Sequence, residues 1–143
     1  MKATLILVAI ILITPCTSFA KTQLSVGLGY QHASVLGIQY GVIEGVNKYY
    51  GAVGLSGVAV GYQRAIDVQK KHTIGVVIGK ESLSSEDGFA LFTYNYHFTA
   101  QDISGWQLGV SAGVRREDEG SFFSNVGKTS TKGAVFIDVS YKF

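Results

Sequence analysis

Apolar residues recur at every second position along most of this chain, the spacing of a β-strand with one apolar face. In TQLSVGLGYQH, Leu24, Val26, Leu28 and Tyr30 share one face and Gln23, Ser25, Gly27, Gly29 and Gln31 the other. LGIQYGV continues with Leu36, Ile38, Tyr40 and Val42 against Gly37, Gln39 and Gly41. The phase holds across 33–35, so a three-residue turn there would pair His32 with Leu36. In YYGAVGLSGVAVGYQRAI the apolar positions move from odd (Val53, Leu55) to even (Val58, Val60, Tyr62). A two-residue hairpin loop at Ser56-Gly57, pairing Leu55 with Val58, requires that change of phase. HTIGVVIGK, FALFTYNYHF, WQLGVSAGVRR and the closing VFIDVSYKF follow, the last with Val135, Ile137, Val139, Tyr141 and Phe143 on one face. Together these make eight strands of about ten residues, the length that crosses a bilayer when tilted in a barrel wall.

A soluble sheet with one wet face would show the same period. The second face argues against it, because it carries small or neutral polar residues such as Gly75, Gly79, Gly109, Ser111, Gly113 and Ser140. Such residues suit the lumen of an eight-stranded barrel, which is only wide enough for its own side chains. Charges gather instead in the connections DVQKK, KESLSSED and RREDEG. The fold expected is all-β: an eight-stranded antiparallel up-and-down transmembrane β-barrel, porin-like in its wall.

The first twenty residues read differently. MKATLILVAIILITPCTSFA has Lys2, an apolar run from Leu5 to Ile13, then Ser18-Phe19-Ala20, as in a secretory signal cleaved after Ala20. The expected division is a signal peptide over 1–20, exported through the Sec pathway, and a barrel over 21–143. A lipoprotein signal at Cys16 would want a small residue before the cysteine, where Pro15 stands. The mature part keeps no cysteine, so disulfides are excluded there. Of twelve Lys and Arg, Lys2 leaves with the signal; eleven against ten acids is a balance that does not suit nucleic acid.

If strand one starts in the periplasm, the connections IEGVN, DVQKK and TAQDISG are periplasmic and short, while the longest, EDEGSFFSNVGKTSTK, faces outward, an asymmetry of outer-membrane barrels. Tyr40, Tyr49, Tyr62, Tyr96, Phe98, Trp106, Tyr141 and Phe143 then fall at periplasmic strand ends, and Tyr30, Phe89 and Phe92 near the outer rim, the depths aromatic rings prefer.

With its signal peptide, alternating strands and final YKF, the chain resembles the small outer-membrane β-barrel proteins of Gram-negative bacteria, the OmpA/OmpX-like group. The resemblance spans the mature chain and is architectural. It implies that Phe143, Tyr141, Val139 and Ile137 form an assembly signal read by the barrel assembly machinery. It also implies that the barrel's surroundings are outer-membrane lipid and lipopolysaccharide. It names no extracellular partner. The function expected is non-enzymatic: a structural or surface-interaction role in the cell envelope, without cofactor or catalytic residues.

Two alternatives differ in class. Some outer-membrane barrels of similar size deacylate lipid A with a His and a Ser two apart and a carboxylate; here His32 and Ser34 would serve as base and nucleophile. The nearest acid, Glu44, lies at the opposite membrane face. The other alternative is a soluble periplasmic barrel that binds an apolar ligand. His32, His72 and His97 share no metal spacing, and EDEGSFF suits a solvated loop better than a calcium site. By parity Arg115, Asp138, Lys142, His97 and Gln107 face the lumen. A lone carboxylate there is costly, so a cluster centred on Asp138 is expected, with Arg115, Lys142 or the neutral Gln107 as partner, plugging the lumen.

Overall fold

A computed structural model describes residues 20–81, 88–118 and 129–143, with backbone only at 117, 118, 129 and 130. The signal-peptide assignment over 1–19, most of KESLSSED and the centre of the long connection lie outside the described residues.

The strands follow the period-two segments, which are rich in the β-branched and aromatic residues that pack well on a pleated surface. They are β1 (Lys21–Gly29), β2 (Ser34–Glu44), β3 (Asn47–Gly54), β4 (Gly57–Ala65), β5 (His72–Glu81), β6 (Gly88–His97), β7 (Gly105–Asp118) and β8 (Thr129–Lys142). Each pairs antiparallel with the next, and β1 pairs with β8, so the chain forms the expected closed eight-stranded up-and-down barrel. The β2–β3, β4–β5 and β6–β7 connections lie at one end, here called lower.

Three connections depart from the sequence-based expectation. The three-residue turn pairing His32 with Leu36 does not form. The β1–β2 register sets Val26 opposite Ile38 and Gly27 opposite Gly37, then shifts so that Gly29 meets Ser34. Between them Tyr30–His32 make a 3₁₀ turn closed by Ala33 at φ 59°. Gly29 has φ 113°, a conformation open to glycine at little cost, and it sends the chain into the lumen.

The β3–β4 hairpin pairs Val53, not Leu55, with Val58, which moves the two-residue loop to Leu55-Ser56. Gly57 is a strand residue without positive φ. A side chain there would strike the backbone oxygen of Lys80 on β5. Finally, β7 and β8 remain paired out to Asp118 and Thr129, so the two ends of the stretch expected as the longest connection, 117–118 and 129–132, are strand.

The two faces of the wall have opposite chemistry. Outside lie Ile38, Val60, Ile78, Val110 and Ile137, all substantially exposed. The lower end carries aromatic pairs on this outer face: Tyr49 with Tyr62, Tyr96 with Phe98, and Trp106 with Tyr141, centroids 5.2–5.3 Å apart. Inside, most buried side chains are polar. Phe92 is on the outer face at 74% exposure. Tyr30 and Phe89, expected with it near the outer rim, turn inward instead: Tyr30 stacks on Phe136 at 3.9 Å and meets Phe89 edge-on at 5.0 Å. The rotation at Gly29 reverses Tyr30, and the strand parity points Phe89 inward.

Candidate functional site

The lumen holds the chain's concentrated chemistry, in three levels. Gln31, carried in by the 3₁₀ turn, is the centre of the middle one. Its backbone N–H donates to Asp138 Oδ1 at 3.0 Å. Its side-chain nitrogen lies within reach of Asn95 Oδ1 (2.8 Å), Asp138 Oδ2 (3.2 Å) and Ser111 Oγ (3.3 Å). Its two oxygens accept from Gln63 Nε2 at 2.8 Å and Gln39 Nε2 at 3.1 Å. Ser111 donates to Asp138 at 2.5 Å. Such mutual satisfaction is what makes buried polar groups tolerable.

The turn fits because β2 and β3 present glycines to it. A Cβ on Gly37 would overlap the His32 carbonyl oxygen, and one on Gly54 the Ala33 carbonyl oxygen. Higher in the lumen the same device holds rings: Phe89 lies over Gly79, and lower down Tyr50 covers Gly61, as aromatics cover glycines in other sheets.

The lower level contains two fully buried lysines. Lys48 Nζ donates to Gln39 Oε1 (2.8 Å) and Gln23 Oε1 (3.1 Å). Lys142 Nζ donates to the Ala100 carbonyl (2.8 Å) and to His97 Nδ1 (3.1 Å), which leaves His97 Nε2 to donate to Thr73 Oγ1 at 3.1 Å. The β6–β7 connection folds across this end. Its Gln101 carbonyl accepts from Gln23 Nε2, its Asp102 carbonyl from Lys21, and its Asp102 carboxylate pairs with Lys70 at 3.2 Å. Desolvation raises the Asp102 pKa, but the bond from Lys70, a backbone N–H and the charges of Lys70 and Lys21 together hold the carboxyl below the usual range. Asp67 in the β4–β5 turn behaves alike. Desolvation raises its pKa, while the His72 and Lys71 backbone N–H groups, bonded to it at 2.8 and 3.1 Å, bring it below the ordinary value.

The upper level is apolar, with Ala52, Ala59, Val77, Leu91, Phe89 and Tyr30 packed together. It is capped by Arg115, which pairs with Glu81 at 2.8 Å and lies 5.8 Å over the Tyr30 ring.

The residues expected to cluster are therefore spread over the lumen's height. Asp138 is buried in the middle with Gln31 and Ser111, not with a cation. Arg115 is at the top with Glu81, and Lys142 at the bottom with His97. Gln107 is buried opposite His97 and Ser140 in the register. Gln31, Gln39, Gln63, Asn95, Lys48 and Glu81 carry the network but were not singled out from sequence. The available signal was that all lie on the small-residue face of the alternation or in the first connection. Ile137, Val139, Tyr141 and Phe143 line the outer face of β8, where the Phe143 N–H donates to the Leu24 carbonyl at 2.9 Å.

His32 and Ser34 are not joined by a hydrogen bond. His32 is buried and its Nε2 meets Ser25 Oγ at 3.2 Å, while no hydrogen-bond partner orients Nδ1. Ser34 Oγ accepts from Ser56. Glu44 is at the lower end, beside the β2–β3 turn. Comparison with protein-family models, curated proteins and solved structures returned no match.

Proposed function

We propose that the chain is a non-enzymatic integral outer-membrane β-barrel protein of a Gram-negative cell envelope, with a structural or surface-interaction role. One observation carries this: the barrel is filled and largely polar inside, and apolar with an aromatic girdle outside. In water that arrangement would expose costly apolar area over the whole wall. In a bilayer the outer residues meet hydrocarbon, the girdle sits at an interface, and closure leaves most of the wall's ladders satisfied. The neighbours of the barrel would be outer-membrane lipid and lipopolysaccharide, and the barrel assembly machinery would insert the chain among them. The lumen, occupied by Gln31, Lys48, Lys142 and their partners, offers little space for the apolar cargo of a soluble carrier. His32, buried against Ser25, is poorly disposed to activate Ser34 for lipid A chemistry.

The test is fractionation of an expressing Gram-negative cell, followed by gel migration of the outer-membrane fraction before and after boiling. The protein should be found in that fraction and should shift on boiling, as folded barrels resist detergent. Recovery in the soluble periplasm would contradict the proposal.

A further inference from the structure

The wall is incomplete on one side. β1 pairs with β8 only from Ser25 opposite Lys142 to Leu28 opposite Val139, whereas β8 continues along β7 to Thr129. Above Val139, the β8 edge that faces β1 has no strand beside it among the described residues. β1 has left the wall at Gly29, and the tip of β2 stands across the gap. A cavity of about 410 Å³ occupies this notch. Its lip is Val35 and Ile137, each 71% exposed, with Ile137 on the apolar outer face. Its floor is the Tyr30–Phe136 stack, and its inner end is Ser34, Ser56 and the Arg115–Glu81 pair.

An open strand edge at membrane depth leaves backbone groups that a polar head, or water held with it, must meet. The notch also grades from apolar at the lip to hydroxyl and charge within. We propose that it binds a single-chain amphipath, a long-chain fatty acid in chemical class, which enters sideways from the bilayer. The inference rests on the membrane assignment above. The chain would lie over Val35 and Ile137, and the carboxylate would meet Arg115 and the two serine hydroxyls. Glu81 shares that guanidinium, so heads with several negative charges are disfavoured against one with a single charge.

The experiment uses the full barrel in phosphatidylcholine vesicles with a fatty acid that carries a photoactivatable diazirine in its chain. Flotation before irradiation establishes that the protein is in the membrane. Adducts should concentrate on the peptides that contain Val35 and Ile137, about tenfold above those around Val76 and Val110, a preference that sets a bound chain apart from solvent lipid. Unlabelled fatty acid should displace them although diacyl lipid is in large excess, and Val35→Trp with Ile137→Trp, which fill the lip, should remove the preference. Even labelling around the belt would overturn the site while leaving the membrane assignment intact. So would disulfide-linked dimers of Val135→Cys, which would mean that a second copy covers the edge. Failure to float would overturn both.

Discussion

Asp138 shows how a single side chain holds the lumen together. It accepts from the Gln31 backbone, the Gln31 side chain and Ser111, all buried groups with few other options. Replacing it with alanine leaves the Gln31 N–H and the Ser111 hydroxyl short of an acceptor. Asp138→Ala should cost roughly 1–3 kcal/mol in urea unfolding of the reconstituted barrel, the range for orphaned buried donors. Asp138→Asn, which keeps an acceptor oxygen, should cost less. At the lower rim Asp67 acts through its charge. Its folded pKa is depressed, so its contribution is present above the unfolded carboxylate pKa and is lost as pH falls through the folded value. Asp67→Asn should therefore separate from wild type in unfolding at pH 6 and converge with it in acid. A separation that persists unchanged at low pH would assign Asp67 a role independent of charge.

At the scale of elements, the inward 3₁₀ turn is held by absences. Gly37 and Gly54 leave room for the carbonyls of His32 and Ala33, which are backbone atoms and cannot swing aside. Gly37→Val and Gly54→Val should each cost about 1–3 kcal/mol, the usual range for overpacking. Gly51→Val, on the same strand as Gly54 but facing open space, should cost nothing and serves as the control in the same unfolding series. The outer face has its own test. Val110→Arg should cost about 2–4 kcal/mol in lipid if that face meets hydrocarbon, while Val68→Arg, at a fully exposed side chain of the β4–β5 turn, should be silent.

The contrast between what was and was not legible in the sequence is sharpest among these same elements. Period two reveals a strand wherever its two faces meet different surroundings, which is why Leu24 to Leu28 and Ile74 to Ile78 were readable. Tyr30, Gln31 and His32 continue that alternation, so nothing local marked their departure from the wall. The marks were remote glycines, whose purpose shows only once β2 and β3 lie beside the turn. The upper ends of β7 and β8 read as loop for the converse reason. Thr131 and Lys132 are both exposed, and a strand with the same surroundings on each face carries no periodic signal. The lumen partners of Asp138 were missed because pairing across the barrel depends on height, and parity alone does not give height.

Taken whole, the molecule is a shell with a packed interior. The lower mouth is crossed by the β6–β7 connection, the middle is filled by the Gln31 network, and the upper lumen is apolar and capped by Arg115 and Glu81. Planar-bilayer recordings should accordingly show no large, steady single-channel currents, for wild type or for Asp138→Ala, since the other side chains still fill a narrow barrel. The central claim, that the apolar outer face is turned to lipid, is tested most directly by nitroxide labels at Val76, Val110 and Ile137 in the vesicle-bound protein. All three should relax readily with oxygen, which partitions into hydrocarbon, and hardly with a water-soluble nickel chelate, whereas a label at Val68 should show the reverse. Efficient relaxation of Val110 by the nickel chelate would place that face in water and contradict the account.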